Sequence, residues 1–186
     1  MRLHGATKNH FSKTMILADQ EIQHLIDERN MVEAFDPELI NPASLDLRLG
    51  DLIMLESAEG LEMKPCSIAN NTKDDPYWLK PNQFILAQTI EVFNMPDNIA
   101  GLFFLKSSRA REGYENLHAG YADPGWNGST LTLELKNSRQ IQPLPLWPGL
   151  KIGQMVFFKM SAKPDVSYAT VGHYNNDLTV MGSKQF

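Results

Sequence analysis

Hydrophobic positions recur along the chain with two different periods. Over about residues 19–30, Ile22, Leu25 and Ile26 fall on one face at helical spacing, with Asp19 just ahead of them. That pattern predicts an amphipathic helix N-capped by Asp19. Beyond it the period is mostly two. In NPASLDLRLG, Leu45, Leu47 and Leu49 alternate with Ser44, Asp46 and Arg48, which predicts a half-buried strand that Gly50-Asp51 interrupts before a second apolar run. FILAQTIEVF reads as a strand and MPDN as a turn, with Pro96 at its second position. IAGLFFLK is apolar almost throughout and is expected to be buried on both faces. SSRAREG follows as one or two helical turns, with Ser107 as N-cap and Gly113 as stop.

DPGWNG and WPG read as turns, and STLTLELKN and LKIGQMVFFKM as strands. Residues 56–82, rich in Ser, Asn, Asp and Pro, read as a long irregular loop with one short strand; the tail from Ala162 is weakly patterned. Many short strands at close turn spacing predict a mostly-β domain with one N-terminal helix and a short helix after a central strand.

Composition narrows the function. A length of 186 residues suits one well-buried domain. A net charge of −5 argues against general nucleic-acid binding, which draws on an extended basic surface, but leaves room for a small anionic ligand held by a local cluster of cations and N–H groups. Cys66 is the only cysteine, so no intrachain disulfide forms, which suits a reducing cytoplasm. No long apolar run predicts a membrane span. The opening residues 1–14 read as a polar extension without a signal-peptide core, and residues 15–186 as the domain.

Polar chemistry concentrates in residues 106–137. Ser107 and Arg111 lie four apart, on one face of a short helix, and Lys106, Ser107 and Ser108 cluster where that helix leaves a strand. The arrangement suits an anion, and equally suits a capped helix with a solvated charged face. In the next strand Leu131, Leu133 and Leu135 point one way and Thr130, Thr132 and Glu134 the other. Glu134 is then either a solvent-facing residue or a carboxylate on a rigid platform, aimed into a cleft as a general base. Asp123 opens DPGW, where turn chemistry alone accounts for it. Zinc deaminases need an H-x-E and P-C-x-x-C signature. Here His118 precedes Ala119-Gly120 and Cys66 has no second cysteine, so zinc chemistry is not expected; Walker A and G-x-G-x-x-G motifs are also missing.

The segments KSSRAR, HAGYADPGWNGSTLTLELKN and LPLWPGLKIGQMVF resemble the dCTP deaminases of the dUTPase-like superfamily, and the likeness runs from Met15 to the C-terminus. It is carried by Lys106-Ser107-Ser108 with Arg111, by Ala119 to Gly128, by Leu133-Glu134 with Asn137, and by Pro148 to Gln154. Plain dUTPases lack the strand glutamate. The resemblance implies a β-clip fold and a homotrimer with active sites between subunits. It also implies zinc-independent deamination of dCTP to dUTP and ammonia, with Mg²⁺ carried on the triphosphate. Glu134 would activate the water, with Ser107, Arg111 and the Ala119 carbonyl positioning water and base. Lys106, Ser107 and Ser108 would hold phosphates, and Asp123, Thr132 and Leu133 the nucleoside.

The family's C-terminal segment folds over the nucleotide. Here the lid would span about residues 165–186, with Tyr168, His173, Asp177 and Lys184 at nucleotide-facing positions. His173 and Asp177 stand where the family has Lys and Gln, and Leu105 where it has Gly. Ala119-Gly120-Tyr121 is closer to members that also cleave the triphosphate to dUMP and pyrophosphate, with room at Gly120 for a second water and Asp123 as its base. Expected ligands are therefore dCTP, with dUTP and dTTP as related nucleotides. A catalytically silent nucleotide-binding relative is the competing class, and would be expected to lose Ser107, Arg111 or Glu134.

Overall fold

The computed structural model describes residues 15–60, 62–117 and 119–184. The expected polar extension over residues 1–14 lies outside the described residues. In chain order the strands are β1 (Met15–Ile16), β2 (Val32–Glu33), β3 (Ile40–Asn41), β4 (Ser44–Glu56), β5 (Met63–Ser67), β6 (Tyr77–Leu79) and β7 (Phe84–Asn94). They continue as β8 (Ile99–Leu105), β9 (Tyr114–Asn116), β10 (Tyr121–Ala122), β11 (Asn127–Asn137), β12 (Leu144–Leu146) and β13 (Lys151–Lys159). The helices are α1 (Asp19–Arg29), α2 (Ser107–Glu112) and α3 (Tyr168–Val171). Among the described residues no helix is long and apolar enough to cross a membrane.

The mostly-β expectation holds. A curled 11-stranded antiparallel sheet runs β10-β8-β13-β4-β7-β11-β9, with short strands on its margins, and β6 and β12 form a separate ribbon. β4 joins the two halves. Leu45 to Arg48 pair with β13, whereas Leu49 and Ile53 to Leu55 pair with β7. Gly50-Asp51 therefore does not interrupt the strand. It is a bulge, with the register shifting between Leu49 and Ile53, and a bulge bends a strand. Gly50 is needed there because a Cβ would come within 2.7 Å of Gln88 Cγ.

Leu45, Leu47, Ile53, Ile85, Leu133 and Phe157 fill the space inside the curl. Burying each such side chain contributes about 1.5–3 kcal/mol. The polar face of β4 is covered too, against expectation, and Ser44 and Asp46 are buried. They find partners across strands: Ser44 on Gln154, Asp46 on Asn41 and Lys106. Arg48 pairs with the fully buried Glu91 at 2.7 Å. Burial pushes the Glu91 carboxyl up, and Arg48 opposes that shift.

Several local expectations shift by one step. The cap of α1 is Ala18, because Asp19 already lies in the first turn; the Ala18 N–H donates to Glu21 instead. Lys106, not Ser107, caps α2, which ends at Gly113 in the left-handed region as expected. β8 is not buried on both faces: Phe104 is 47% exposed, since only its inner face meets the core. Residues 56–82 hold two short strands, β5 and β6, rather than one.

Candidate active site

A cavity of about 640 Å³ lies where β11, the DPGWNG turn and the C-terminal tail meet. The alternation of β11 builds its floor. Leu133 and Leu135 go to the core, and Thr130, Thr132 and Glu134 face the cavity. β7, paired with β11, adds Phe84 and Leu86; Glu56 and Met63 close the far side. Ala119, Tyr121, Asp123 and Trp126 come from the segment that carries the chain from β9 to β11, and Tyr168, Tyr174, Asp177 and Met181 from the tail.

Glu134 is half-buried. Its Oε2 is shielded from solvent and, among the described residues, is the one buried side-chain oxygen or nitrogen without a hydrogen-bond partner. An orphaned buried polar atom is costly in a native structure unless something else satisfies it. Burial raises the Glu134 carboxyl above the usual range, opposed by its own backbone N–H. Its backbone is clamped from β9: the N–H donates to Asn116 Oδ1 at 3.1 Å, and the carbonyl accepts the Leu117 N–H at 3.2 Å. Burial also raises the carboxyl of Asp123. Two carboxyl groups with raised affinity for protons, facing a cavity the size of a small-molecule site, are suited to moving protons.

The weakly patterned tail is an ordered strap laid over the turn. Trp126 Nε1 donates to the Tyr174 carbonyl at 2.7 Å, and Ser129 Oγ to the same carbonyl at 3.0 Å. The Thr130 N–H reaches the Asp177 carbonyl at 2.9 Å, and the Val180 N–H reaches Gln88 Oε1 at 2.7 Å. The glycines of DPGWNG make this possible. Gly125 and Gly128 have φ of 87° and 63°, and a Cβ on Gly128 would lie 2.6 Å from Asn176 Oδ1. The turn is thus a seat for the tail.

The structure brings only part of the expected site together. Glu134, Thr132, Asp123, Ala119, Tyr168 and Asp177 line the cavity. Leu133 is buried in the core, which leaves it only a backbone role. Thr132 Oγ1 accepts the Met181 N–H at 3.4 Å. Lys184 Nζ lies 2.7 Å from Asp177 Oδ2 and from the His173 carbonyl, so these three expected residues form one cluster in the tail. Ser107, Ser108 and Arg111 are exposed on α2 and do not line the cavity. Lys106 Nζ is held 2.6 Å from both Asp46 oxygens. Gly120 is buried against Phe103, where a Cβ would come within 2.7 Å of the Phe103 Cβ; packing, not open space for a water, accounts for the glycine.

Sequence reasoning missed Phe84, Leu86, Glu56 and Met63, whose strands reach the site only through pairing with β11 and β4. It also passed over Trp126 and Tyr174 as site residues. A Trp between two glycines in a turn was a usable signal, because an indole N–H seeks a partner when buried. Among the described residues no cluster of three His, Cys, Asp or Glu is placed to hold a metal ion.

Residues 16–160 match the sequence model of the family described as dCTP deaminase-like. A protein of Corynebacterium efficiens named dCTP deaminase, dUMP-forming, is 35% identical over 166 residues, covering 84% of this chain and 85% of the relative. A protein of the same name from Acidothermus cellulolyticus is 36% identical over 166 residues, covering 84% and 86%. Among solved structures, the 2'-deoxycytidine 5'-triphosphate deaminase from Agrobacterium tumefaciens superposes with a TM-score of 0.66 at 20% identity. It covers 80% of this chain, which spans about half (47%) of that longer one; at this identity the likeness speaks for the fold.

Proposed function

The chain belongs to the dCTP deaminase family, and from that premise we propose that it hydrolyses the C4 amino group of dCTP, with Glu134 as the general base. The observation that carries the reading is the unpartnered, buried Oε2 of Glu134 facing the cavity. Water between that oxygen and C4 of the base gives a proton to Glu134, and its oxygen adds to C4 as the C4=N3 double bond opens and N3 takes that proton. Glu134 then moves the proton of the new C4 hydroxyl to N4, the C4–N4 bond breaks as C4=O forms, and ammonia leaves uracil behind. A general base of this kind contributes about 10²–10⁴ in rate. The Ala119 carbonyl and Thr132 are suited to orient the base, and Asp123 and the ring of Tyr168 to contact the sugar.

A second copy completes the site. Among the described residues the cavity wall has four carboxylates (Glu56, Asp123, Glu134, Asp177) and no lysine or arginine. A triphosphate in such a wall needs cations from elsewhere. Ser107, Ser108 and Arg111 lie exposed on α2, which follows β8; Phe104 of β8 and Tyr121 of β10, the strand paired with β8, are 47% and 55% accessible. In a homotrimer those rings pack against a neighbour and α2 delivers its hydroxyls and guanidinium to the neighbour's cavity. Mg²⁺ fits as an ion carried by phosphate oxygens and water rather than by a protein cage, and when bound it neutralises phosphate charge.

The dUMP-forming reading is favoured by the names of the relatives at 35% and 36% identity. Deamination is then followed by water attack on the triphosphate, releasing pyrophosphate and dUMP, with Asp123 as the base on the cavity wall. Incubation with dCTP and Mg²⁺, followed by separation of nucleotides and an ammonia assay, tests both readings. Ammonia with dUMP and pyrophosphate supports the coupled reaction. Ammonia with dUTP supports deamination alone. Unchanged dCTP overturns both.

A further inference from the structure

Antiparallel pairing of β9 with β11 sets Tyr114 against Asn137, Glu115 against Lys136 and Asn116 against Leu135. The next pair would be Leu117 with Glu134, exchanging two backbone hydrogen bonds. One is present: the Leu117 N–H donates to the Glu134 carbonyl at 3.2 Å. The reciprocal bond is not made by backbone. The Glu134 N–H donates instead to the side-chain Oδ1 of Asn116 at 3.1 Å. Asn116 is only 9% exposed, so this bond is shielded from competing water.

The substitution has two consequences. The carbonyl of Leu117 is released from the ladder, and the chain can leave β11 at that residue. It crosses to the other half of the sheet, where the Gly120 carbonyl accepts the Phe103 N–H at 2.8 Å and Tyr121 pairs with Leu102. Ala119 and Tyr121 become cavity wall on the way. Meanwhile the Glu134 N–H is taken up. The same N–H also bears on the Glu134 carboxylate, where it lowers the carboxyl's proton affinity against the effect of burial.

We infer that Asn116 is a positioning residue for Glu134: its Oδ1 ends the β9–β11 ladder at the strand glutamate, fixes the backbone that aims the carboxylate, and competes with that carboxylate for the amide. The inference rests on Glu134 being the base. The other titratable groups facing Glu134 across the cavity are Glu56, Asp123, Tyr121, Tyr168, Tyr174 and Asp177. None is altered in the variants below, so a difference between variants reports on Asn116.

The test compares Asn116→Ala and Asn116→Asp in the full-length protein, with Glu134→Gln in parallel, measuring kcat, KM for dCTP and the acid limb of kcat against pH. Asn116→Ala is expected to lose roughly 10- to 100-fold in kcat, the scale of a misaimed group, with KM within about threefold. Its acid limb moves to lower pH, because the N–H is no longer shared with Asn116 and acts on the carboxylate alone. Asn116→Asp keeps the acceptor and recovers most of the kcat, and its acid limb moves to higher pH under the added negative charge. A loss confined to KM, or limbs that stay together in both variants, overturns the inference. Should Asn116→Ala fail to fold, the isosteric Asn116→Asp decides alone: retained kcat with an upward limb supports it, and an unmoved limb overturns it. Full activity in Glu134→Gln would instead mean that the underlying reading of the base is wrong.

Discussion

The indole Nε1 of Trp126 donates to the carbonyl of Tyr174 at 2.7 Å, fastening the tail to the turn that carries Asp123. Ser167 Oγ adds a second fastening, 2.6 Å from Asp97 Oδ1, and Gly125 lies directly beneath that contact. A Cβ on Gly125 would meet Ser167 Oγ and lie 3.0 Å from Asp97 Oδ1, at a φ of 87° that side chains rarely adopt. Gly125→Ala is therefore expected to lift the tail while sparing the sheet. The readouts are faster proteolysis after residue 160, a red-shifted Trp emission and a KM for dCTP raised about tenfold or more. An unchanged KM with an intact tail would mean that the strap is not seated as described.

Glu134 makes opposite predictions for activity and stability. Burial raises its carboxyl, so the charged form destabilises the fold. A carboxyl raised on folding adds stability that is fully present below its unfolded value near 4.5 and is lost as pH rises through the folded value. Glu134→Gln removes that charge. It should lose about 10²–10⁴ in kcat and yet melt at the same temperature as the parent or higher at pH 7–8. The two melting curves should converge below pH 4.5. A large drop in Tm at neutral pH would contradict this account.

Lys106 is held by the buried Asp46, whose side chain is 6% accessible. Removing the ammonium leaves a carboxylate buried without its charge partner, which typically costs about 3–5 kcal/mol. Lys106→Met should thus lower chemical-denaturation stability by about that amount, before any effect on phosphate binding is considered. The double variant Lys106→Met with Asp46→Leu should recover much of the loss. A Lys106→Met protein of parental stability, deficient only in affinity, would assign Lys106 wholly to phosphate.

Arg111 and Glu134 sit on different elements, and only Glu134 lines the cavity of its own chain. If a neighbour's α2 completes the site, Arg111→Ala and Glu134→Gln should each be inactive alone. Mixed, dissociated and reassembled, they should regain roughly a quarter of parental activity, since random assembly restores both groups in that share of sites. No recovery in a mixture proved to contain mixed oligomers would place both groups within one chain.

The sequence by itself determined the strands of the core and the direction of Glu134. Leu131, Leu133 and Leu135 alternate with Thr130, Thr132 and Glu134, and a period of two leaves one face for each set; β11 is built that way from Thr132 onward, whereas Leu131, at a register shift between Thr130 and Thr132, also reaches the cavity. The Ile22–Ile26 stripe of α1 and the stop at Gly113 were equally readable, because each depends on residues near in the chain; Asp123 and Glu134 were placed at one site only by the family resemblance, since their spacing alone decides nothing. What tertiary structure decided was which polar groups are buried and what meets them. Asp46 looked solvent-facing until pairing with β13 and the side chains of Asn41 and Lys106 enclosed it, and Gly50 looked like a break because the change of partner from β13 to β7 is invisible in a single strand. The tail carried no period because its order comes from hydrogen bonds to β7, β11 and the DPGWNG turn, not from an apolar face of its own. The orphan Oε2 of Glu134 and the Asn116 contact behind it belong to the same class: long-range pairing creates them, and local pattern does not encode pairing.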